Sequence, residues 1–485
     1  MTDDTPSGSP PTPDQSTLVI PLIRRQARWP DLSDELRVKQ GRLPAGWPLF
    51  AAVVLFPLWW VLGLGSFVFP IFAIPMAFQL ARRPAVKVPP WFWLWGLFVL
   101  WSIAGVVMLS YSPPGTLTTS TIDGLDAFVL RTLQYLAATV MLLYIGNLTE
   151  DEVPRLRIVR WLGVLFVVTL IGGFLGLLAP TLNWTSVVEK LLPSGLAQRR
   201  GLQSLVHPAV AQIQNVIGQA DARPKAPFEY TNAWGNNLSI LLLWFVIGSL
   251  VYATTRRRTF ASLALVVALV PIIYSLNRGL WIGLTLAGVY VAIRLAMAGR
   301  PQFLAAFGLG AALLVVVIAI TPLGTVFTER LNAGHSNQVR TSLSSDAFTL
   351  ALQSPVLGYG GTRDKLGSEE SIAIGATADC PRCGNRTIGS NGHFWNVLFA
   401  QGFVGAFLFV GWYLANFWHY RRDLTPIGLA GQAVVVMTLL CMFAYVGISS
   451  SLSLVMLSIG LLWRNEQARR SDPRAGQPAV EQVPA

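Results

Sequence analysis

The chain is predicted to be an all-α polytopic membrane protein with about twelve transmembrane helices and a large external loop, holding short helices, between spans 9 and 10. Three observations predict it. Hydrophobic residues make up 53% of the 485 and charged residues only 12%, whereas a soluble chain of this length carries far more charge. Apolar runs of about twenty residues, the length that crosses a hydrocarbon core, recur along the chain. The basic residues fall in short clusters between those runs, as topology signals and contacts to anionic headgroups do. The net charge of +12 therefore gives no reason to expect nucleic acid as a partner.

In chain order, residues 1–46 open with a Pro-, Ser-, Thr- and Asp-rich stretch that cannot bury a core and is expected to be a disordered cytoplasmic tail. Its basic residues, Arg24, Arg25, Arg28, Arg37, Lys39 and Arg42, make it too charged for a cleaved signal peptide. The apolar region 47–80 is long enough for two short spans with a break near Gly63 to Gly65. Further spans are expected near 90–110, 123–146, 158–180, 232–254, 259–276, 278–298 and 302–321, completing a membrane domain at 47–321 with an external loop at 181–231. A large external loop covers 322–391. The last spans lie near 393–417, 426–447 and 449–464, within a second membrane stretch at 392–464, and 465–485 is a cytoplasmic tail.

Lys and Arg accumulate on the cytoplasmic side of short loops, and the span count is consistent with that. The inner segments take Arg82, Arg83 and Lys87, then Arg155, Arg157 and Arg160, then Arg256, Arg257 and Arg258, and the clusters at Arg294 and Arg300, Arg421 and Arg422, and Arg464 to Arg474. The short outer loops near 111–122 and 447–449 hold no basic residue.

Against that topology a few polar residues stand out. Arg278 opens a span beside Gly279, where another group can approach the backbone; a snorkelling surface arginine is the plainer alternative. Arg223 and Lys225 precede another span, followed by Asn232, Asn236 and Asn237. Arg131 lies inside the fourth span, where an ion faces a cavity or a partner, with a structural pairing to Asp126 as the simpler reading. In the large loop Arg340 begins a stretch in which Leu343, Ala347, Phe348, Leu350, Ala351 and Leu352 can line one side of a short helix that Pro355 stops. Gly358, Gly360 and Gly361 follow as a tight turn. His393 is placed at the mouth of an apolar helix, in reach of both water and the membrane surface. His207, His335 and His419 have ordinary surface contexts. Cys380 and Cys383, a lone CxxC in an external segment, are expected to form a local disulfide, and Cys441 to pack inside a span.

Taken as an ordered set, these pieces resemble the O-antigen ligase and polymerase superfamily of bacterial membrane proteins. The resemblance rests on Asn277, Arg278, Gly279 and Trp281 opening a span, on Arg340 followed by Pro355, Gly358 and Gly360 in the large loop, and on the tract Gly392, His393, Phe394, Asn396, Gly402, Phe403, Val404 and Gly405. The segment Pro227 to Ala233, with Asn232 at the start of a central span, adds to it. It covers roughly residues 200–415. Arg223 is followed by Pro-Lys-Ala-Pro where the family more usually has a glycine before the Phe.

The resemblance implies a glycosyltransferase that moves a glycan from a polyprenyl-diphosphate carrier, such as undecaprenyl diphosphate, to an acceptor hydroxyl on the outer face of the bacterial cytoplasmic membrane. It implies His393 as acceptor base, Arg278 as the firmest diphosphate ligand and Arg223 as a second, with Arg340, Asn232 and Arg131 as further substrate-binding candidates. The acceptor is a lipid or protein hydroxyl in a ligase and a second carrier-linked glycan in a polymerase. Neither a cofactor nor a metal is expected, because the external acids Glu329, Asp346, Asp364, Glu369, Glu370 and Asp379 lack ligand spacing, and the expected mechanism is metal-independent and inverting. A twelve-span secondary transporter fits the hydropathy but should show related halves and polar residues at mid-membrane.

Overall fold

The computed structural model describes residues 43–117, 121–193, 195, 200–215, 220–320, 324–325, 328–329, 335–366 and 387–471. Most of the predicted N-terminal tail, the Cys380 and Cys383 pair and the end of the C-terminal tail lie outside the described residues.

The first apolar region breaks near Gly63 to Gly65 as expected, but the stretch before the break is itself divided in two. The region comprises α1 (Trp47–Val53), α2 (Phe56–Val61), a 3-10 turn (Gly65–Phe67) and α3 (Val68–Ala81). Pro48 and Pro57 sit in the first turns of α1 and α2, where a missing N–H is tolerated but the preceding helix cannot continue. Next come α4 (Phe92–Ala104), α5 (Thr121–Asn147) and α6 (Arg155–Leu178), then the short α7 (Val187–Leu191) and α8 (Arg200–Val206). A hairpin of β1 (Ala211–Asn215) and β2 (Ala220–Pro224) leads into α9 (Thr231–Val246), which a π turn extends through Val251. The remaining helices are α10 (Thr255–Tyr274), α11 (Arg278–Met297), α12 (Gln302–Ile320), α13 (His335–Gln353), α14 (His393–Tyr420), α15 (Pro426–Cys441) and α16 (Ser450–Ser471), with β3 (Arg363–Asp364) and β4 (Thr387–Ile388) paired between α13 and α14.

Among the described residues seven helices are long and apolar enough to cross a membrane: α5 from Gly124, α6, α9 with its π turn, α10, α11, α12 and α14. The other predicted spans are met by shorter pieces or, in α16, by a helix whose last turns carry Arg464, Glu466, Arg469 and Arg470. The architecture is that of a mostly helical membrane protein, and α12 shows why a bilayer is needed. It buries none of its residues fully, although Phe307 packs over Gly288 of α11, and an apolar helix with most of its surface uncovered is stable only in hydrocarbon. By contrast α16 is buried from Ser450 to Asn465. It packs on α5 through two close approaches, with Gly146 under Trp463 and Gly460 against Ile145.

In the large loop, α13 is longer than predicted and its buried face is narrower. Leu343, Ala347, Leu350 and Ala351 are buried, but Phe348 and Leu352 are 47% and 58% exposed. At about 100° per residue the two lie roughly 140° and 180° round from Leu343, so neither joins the buried face, and Phe348 meets α14 only edge-on through Phe403, at 5.9 Å between centroids. Leu343, Ala347 and Leu350 form a small second core with Tyr359, Ile388 and Phe399.

The glycine-rich turn after Pro355 then docks onto a break in α14. Gly402 has φ 68° and ψ −169°, which interrupts the helix and leaves nearby backbone groups to find partners elsewhere. The carbonyls of Phe399 and Ala400 accept from the N–H groups of Tyr359 (3.0 Å) and Gly360 (2.9 Å), and Phe403 donates to the carbonyl of Pro355 (2.8 Å). Gly358 and Gly360 hold φ values of 65° and 68° in this turn, the left-handed region that glycine enters without strain.

Candidate functional site

A cavity of about 610 Å³ lies between the β1–β2 hairpin, the start of α9, the first part of α13 and the link between α15 and α16. Gln212 and Arg223 are directly opposed in the hairpin, so both side chains stand on one face and both line the cavity. The hairpin is tied to α9 because Gln212 accepts from the Thr231 backbone N–H (3.4 Å) and hydroxyl (3.3 Å). Arg223 is buried and its Nε donates to the carbonyl of Ser275 at 2.8 Å. Across the cavity Arg340 donates from Nη1 to the carbonyl of Ala444 at 2.8 Å. Two guanidiniums thus reach one cavity, and both are braced by a backbone carbonyl. Glu229, Tyr230 and Asn232 add polar groups from the segment that opens α9, while Gln134, Asn391 and Asn396 line other parts of the wall.

The electrostatics follow from burial. Burial holds the Arg340 guanidinium below the ordinary arginine value; Tyr445 opposes the shift and nearby Arg278 adds to it. Burial raises the Glu229 carboxyl, with its own backbone N–H, the Ser449 hydroxyl and then Lys225 opposing. It also lowers the Lys225 ammonium, with Glu229 opposing.

The predicted site residues separate into groups. Arg223, Arg340 and Asn232 meet at the cavity. Arg278 is half-buried at the first position of α11 and lies near Arg340 without lining the cavity. Its neighbours explain the tract around it: Asn277 accepts from the N–H of Leu280 (3.4 Å) and from the hydroxyl of Tyr445, and Trp281 donates to the carbonyl of Ile272 (2.8 Å). Arg131 is buried and donates to the carbonyl of Gly360, fastening the glycine turn from the fourth predicted span.

His393 requires a correction. It is not at a water-exposed mouth but only 3% exposed, because the link between α15 and α16 runs across the start of α14. The first-turn N–H groups of α14, which a helix cannot satisfy internally, donate to that link: His393 to the carbonyl of Tyr445 (2.7 Å) and Phe394 to that of Met442 (2.9 Å). Residues of the link alternate in the manner of an extended strand. Ala444, Val446 and Ile448 face the large cavity, whereas Tyr445 and Gly447 face a second space of about 20 Å³ that His393 lines. That space has room for about one water. The His393 ring is stacked on Tyr135 with its Nε2 3.3 Å from the Tyr135 hydroxyl, and it meets Phe409 at 4.6 Å between centroids.

The chain matches no family model and no curated protein sequence. Among the described residues no three His, Cys, Asp or Glu side chains gather where they could hold a metal ion. The sequence reading missed Glu229, Tyr230, Gln212, Asn391 and Asn396. Glu229 and Tyr230 had a signal, since they lie in the Pro227 to Ala233 tract that drew attention to Asn232, and so had Asn396, which belongs to the tract that opens at Gly392. Gln212 had none, because its place depends on a hairpin that the hydropathy of the loop does not disclose.

Proposed function

We propose that the chain is a membrane glycosyltransferase that moves a glycan from a polyprenyl-diphosphate carrier to an acceptor hydroxyl at the outer face of a bacterial cytoplasmic membrane. The observation that carries this reading is the convergence of Arg223 and Arg340 on one cavity at the N-terminal end of the α9 helix. A diphosphate leaving group spreads its negative charge over several oxygens, so its departure is helped by fixed cations rather than by a strong acid. Braced guanidiniums meet that need with little reorganisation, and the N-terminus of α9 adds its positive dipole end. Arg278 supplies further positive potential from beside Arg340. The cavity lies within the size range of small-ligand sites, and its amide, hydroxyl and phenol groups suit a sugar rich in hydroxyls. The reaction is an inverting displacement at the anomeric carbon with no metal and no cofactor. A ligase and a polymerase would use this chemistry alike, and they differ in whether glycan disappears from an outer-leaflet acceptor or from long carrier-linked chains when the gene is deleted.

Transfer from purified carrier-linked glycan tests the proposal. Arg223→Lys and Arg340→Lys keep the charge but lose the planar fork, so each should lower kcat/KM about 10- to 100-fold, the range of a lost charged hydrogen bond. Arg278→Gln should have a smaller effect, and a chelator should leave wild-type transfer unchanged. Full activity in both lysine variants would remove the diphosphate from this cavity.

A further inference from the structure

We propose that Glu229, and not His393, takes the proton from the acceptor hydroxyl, on the reading of this cavity as a site of glycan transfer. Among the described residues Glu229 is the one carboxylate that lines the cavity with Arg223 and Arg340. His393 does not line it: in the link between α15 and α16, Ala444, Val446 and Ile448 line the cavity, whereas Tyr445 and Gly447 line the separate space that His393 lines. A base has to come within hydrogen-bond reach of the proton it removes, directly or through one water. Glu229 meets that condition from the cavity wall, whereas the His393 ring opens on a separate space with room for about one water.

The backbone on either side of Glu229 is anchored. The hairpin and Pro227 lead into it, and Tyr230, which follows, holds Ser204 at 2.7 Å between hydroxyls. The titratable and charged groups around it are Lys225 and Tyr230 on its own segment, Arg223 on β2 and Arg340 on α13. On its other side lies a crevice it shares with His207, whose Nδ1 is 2.8 Å from Glu189. Burial raises the Glu229 carboxyl above the ordinary range, which brings a carboxylate closer to the strength a base needs at neutral pH.

The step balances. A lone pair of the acceptor oxygen forms the new bond to the anomeric carbon as the bond from that carbon to the diphosphate oxygen breaks. The electron pair of the broken bond leaves with the diphosphate, which Arg223 and Arg340 hold. The acceptor proton moves to a carboxylate oxygen of Glu229 and is then released to solvent.

The test uses the full chain in lipid nanodiscs, with labelled polyprenyl-diphosphate-linked oligosaccharide as donor and either a second carrier-linked glycan or an outer-leaflet glycolipid as acceptor. Glu229→Gln keeps the shape and removes the base, so transfer should fall about 10²- to 10⁴-fold while donor binding stays within about threefold. The wild-type rate should fall as pH is lowered through a value above the ordinary carboxylate range, because protonated Glu229 cannot accept. His393→Asn should retain that acid limb. Transfer by Glu229→Gln within about threefold of wild type, loss of the acid limb in His393→Asn, or its absence from the wild-type profile if the glutamine variant does not fold, would each overturn the assignment while leaving glycan transfer in place. A wild-type protein inactive with both acceptors would instead overturn the function, and this assignment with it.

Discussion

At the residue scale, arginines of similar sequence context have different employment, and their partners tell them apart. Arg363 is 2% exposed and donates to the carbonyls of Leu109 (2.9 Å), Tyr359 (3.2 Å), Tyr111 (3.3 Å) and Thr362 (3.0 Å). Together with Arg131 on Gly360 it secures the glycine-rich turn, where several carbonyls would otherwise be buried without donors. Arg223 and Arg340 also have carbonyl partners, but they lie on a cavity wall. Gly402 is a second decisive residue. An added Cβ would lie 2.5 Å from the carbonyl oxygen of Pro355 and 2.7 Å from that of Val356, and the backbone conformation itself belongs almost solely to glycine. Gly402→Ala should therefore destabilise the protein by at least about 1–3 kcal/mol, visible as a lower thermal midpoint in detergent. An unchanged midpoint would mean that α14 can close over this position.

At the scale of elements, the amphipathic pattern located α13 but overestimated its buried face. Periodicity shows which residues share an arc, not how wide an arc the neighbouring helix will cover. Leu350 is 8% exposed and touches the small core, while Leu352 is 58% exposed. Leu350→Ala should cost about 2–5 kcal/mol, as large-to-small changes in a core do, whereas Leu352→Ala should cost under about 1 kcal/mol. Chemical unfolding of the two variants in parallel checks the difference, and equal losses would show that α13 uses a different face. The link between α15 and α16 illustrates the opposite case. Its hydropathy reads as part of two adjoining spans, yet Met442 to Ser449 is not helical, and its alternating side chains partition the two cavities.

At the scale of the whole molecule, the segments predicted to lie on one side of the membrane do meet one another. Glu150 pairs with Arg155 (2.8 Å) and Arg464 (3.0 Å), Glu152 pairs with Arg83 (2.8 Å), and Arg294 donates to the carbonyl of Arg421. These residues belong to predicted inner loops or to the inner ends of spans. The predicted outer segments also associate: Leu117 donates to the carbonyl of Asp364 (2.8 Å) and Leu366 to that of Gly115 (2.9 Å). A reporter fused after Gly361 should accordingly register the side opposite to one fused after Arg257, with Arg257 facing the cytoplasm. The same side for both would discard the span count between them.

Composition and hydropathy were sufficient for the membrane class, for the approximate position of most long helices and for the polar tracts worth inspecting, because each is a property of a window of about twenty residues. Glycines and prolines marked the turn at Gly358 to Gly360 for a similarly local reason. The membership of the cavity is not local. Arg223, Arg340 and the Ala444 to Ser449 link are far apart in the chain and meet only through a hairpin register, a docked loop helix and a break at Gly402. The burial of His393 was likewise decided by a distant segment crossing the start of its helix, a contact that no window of sequence around position 393 contains.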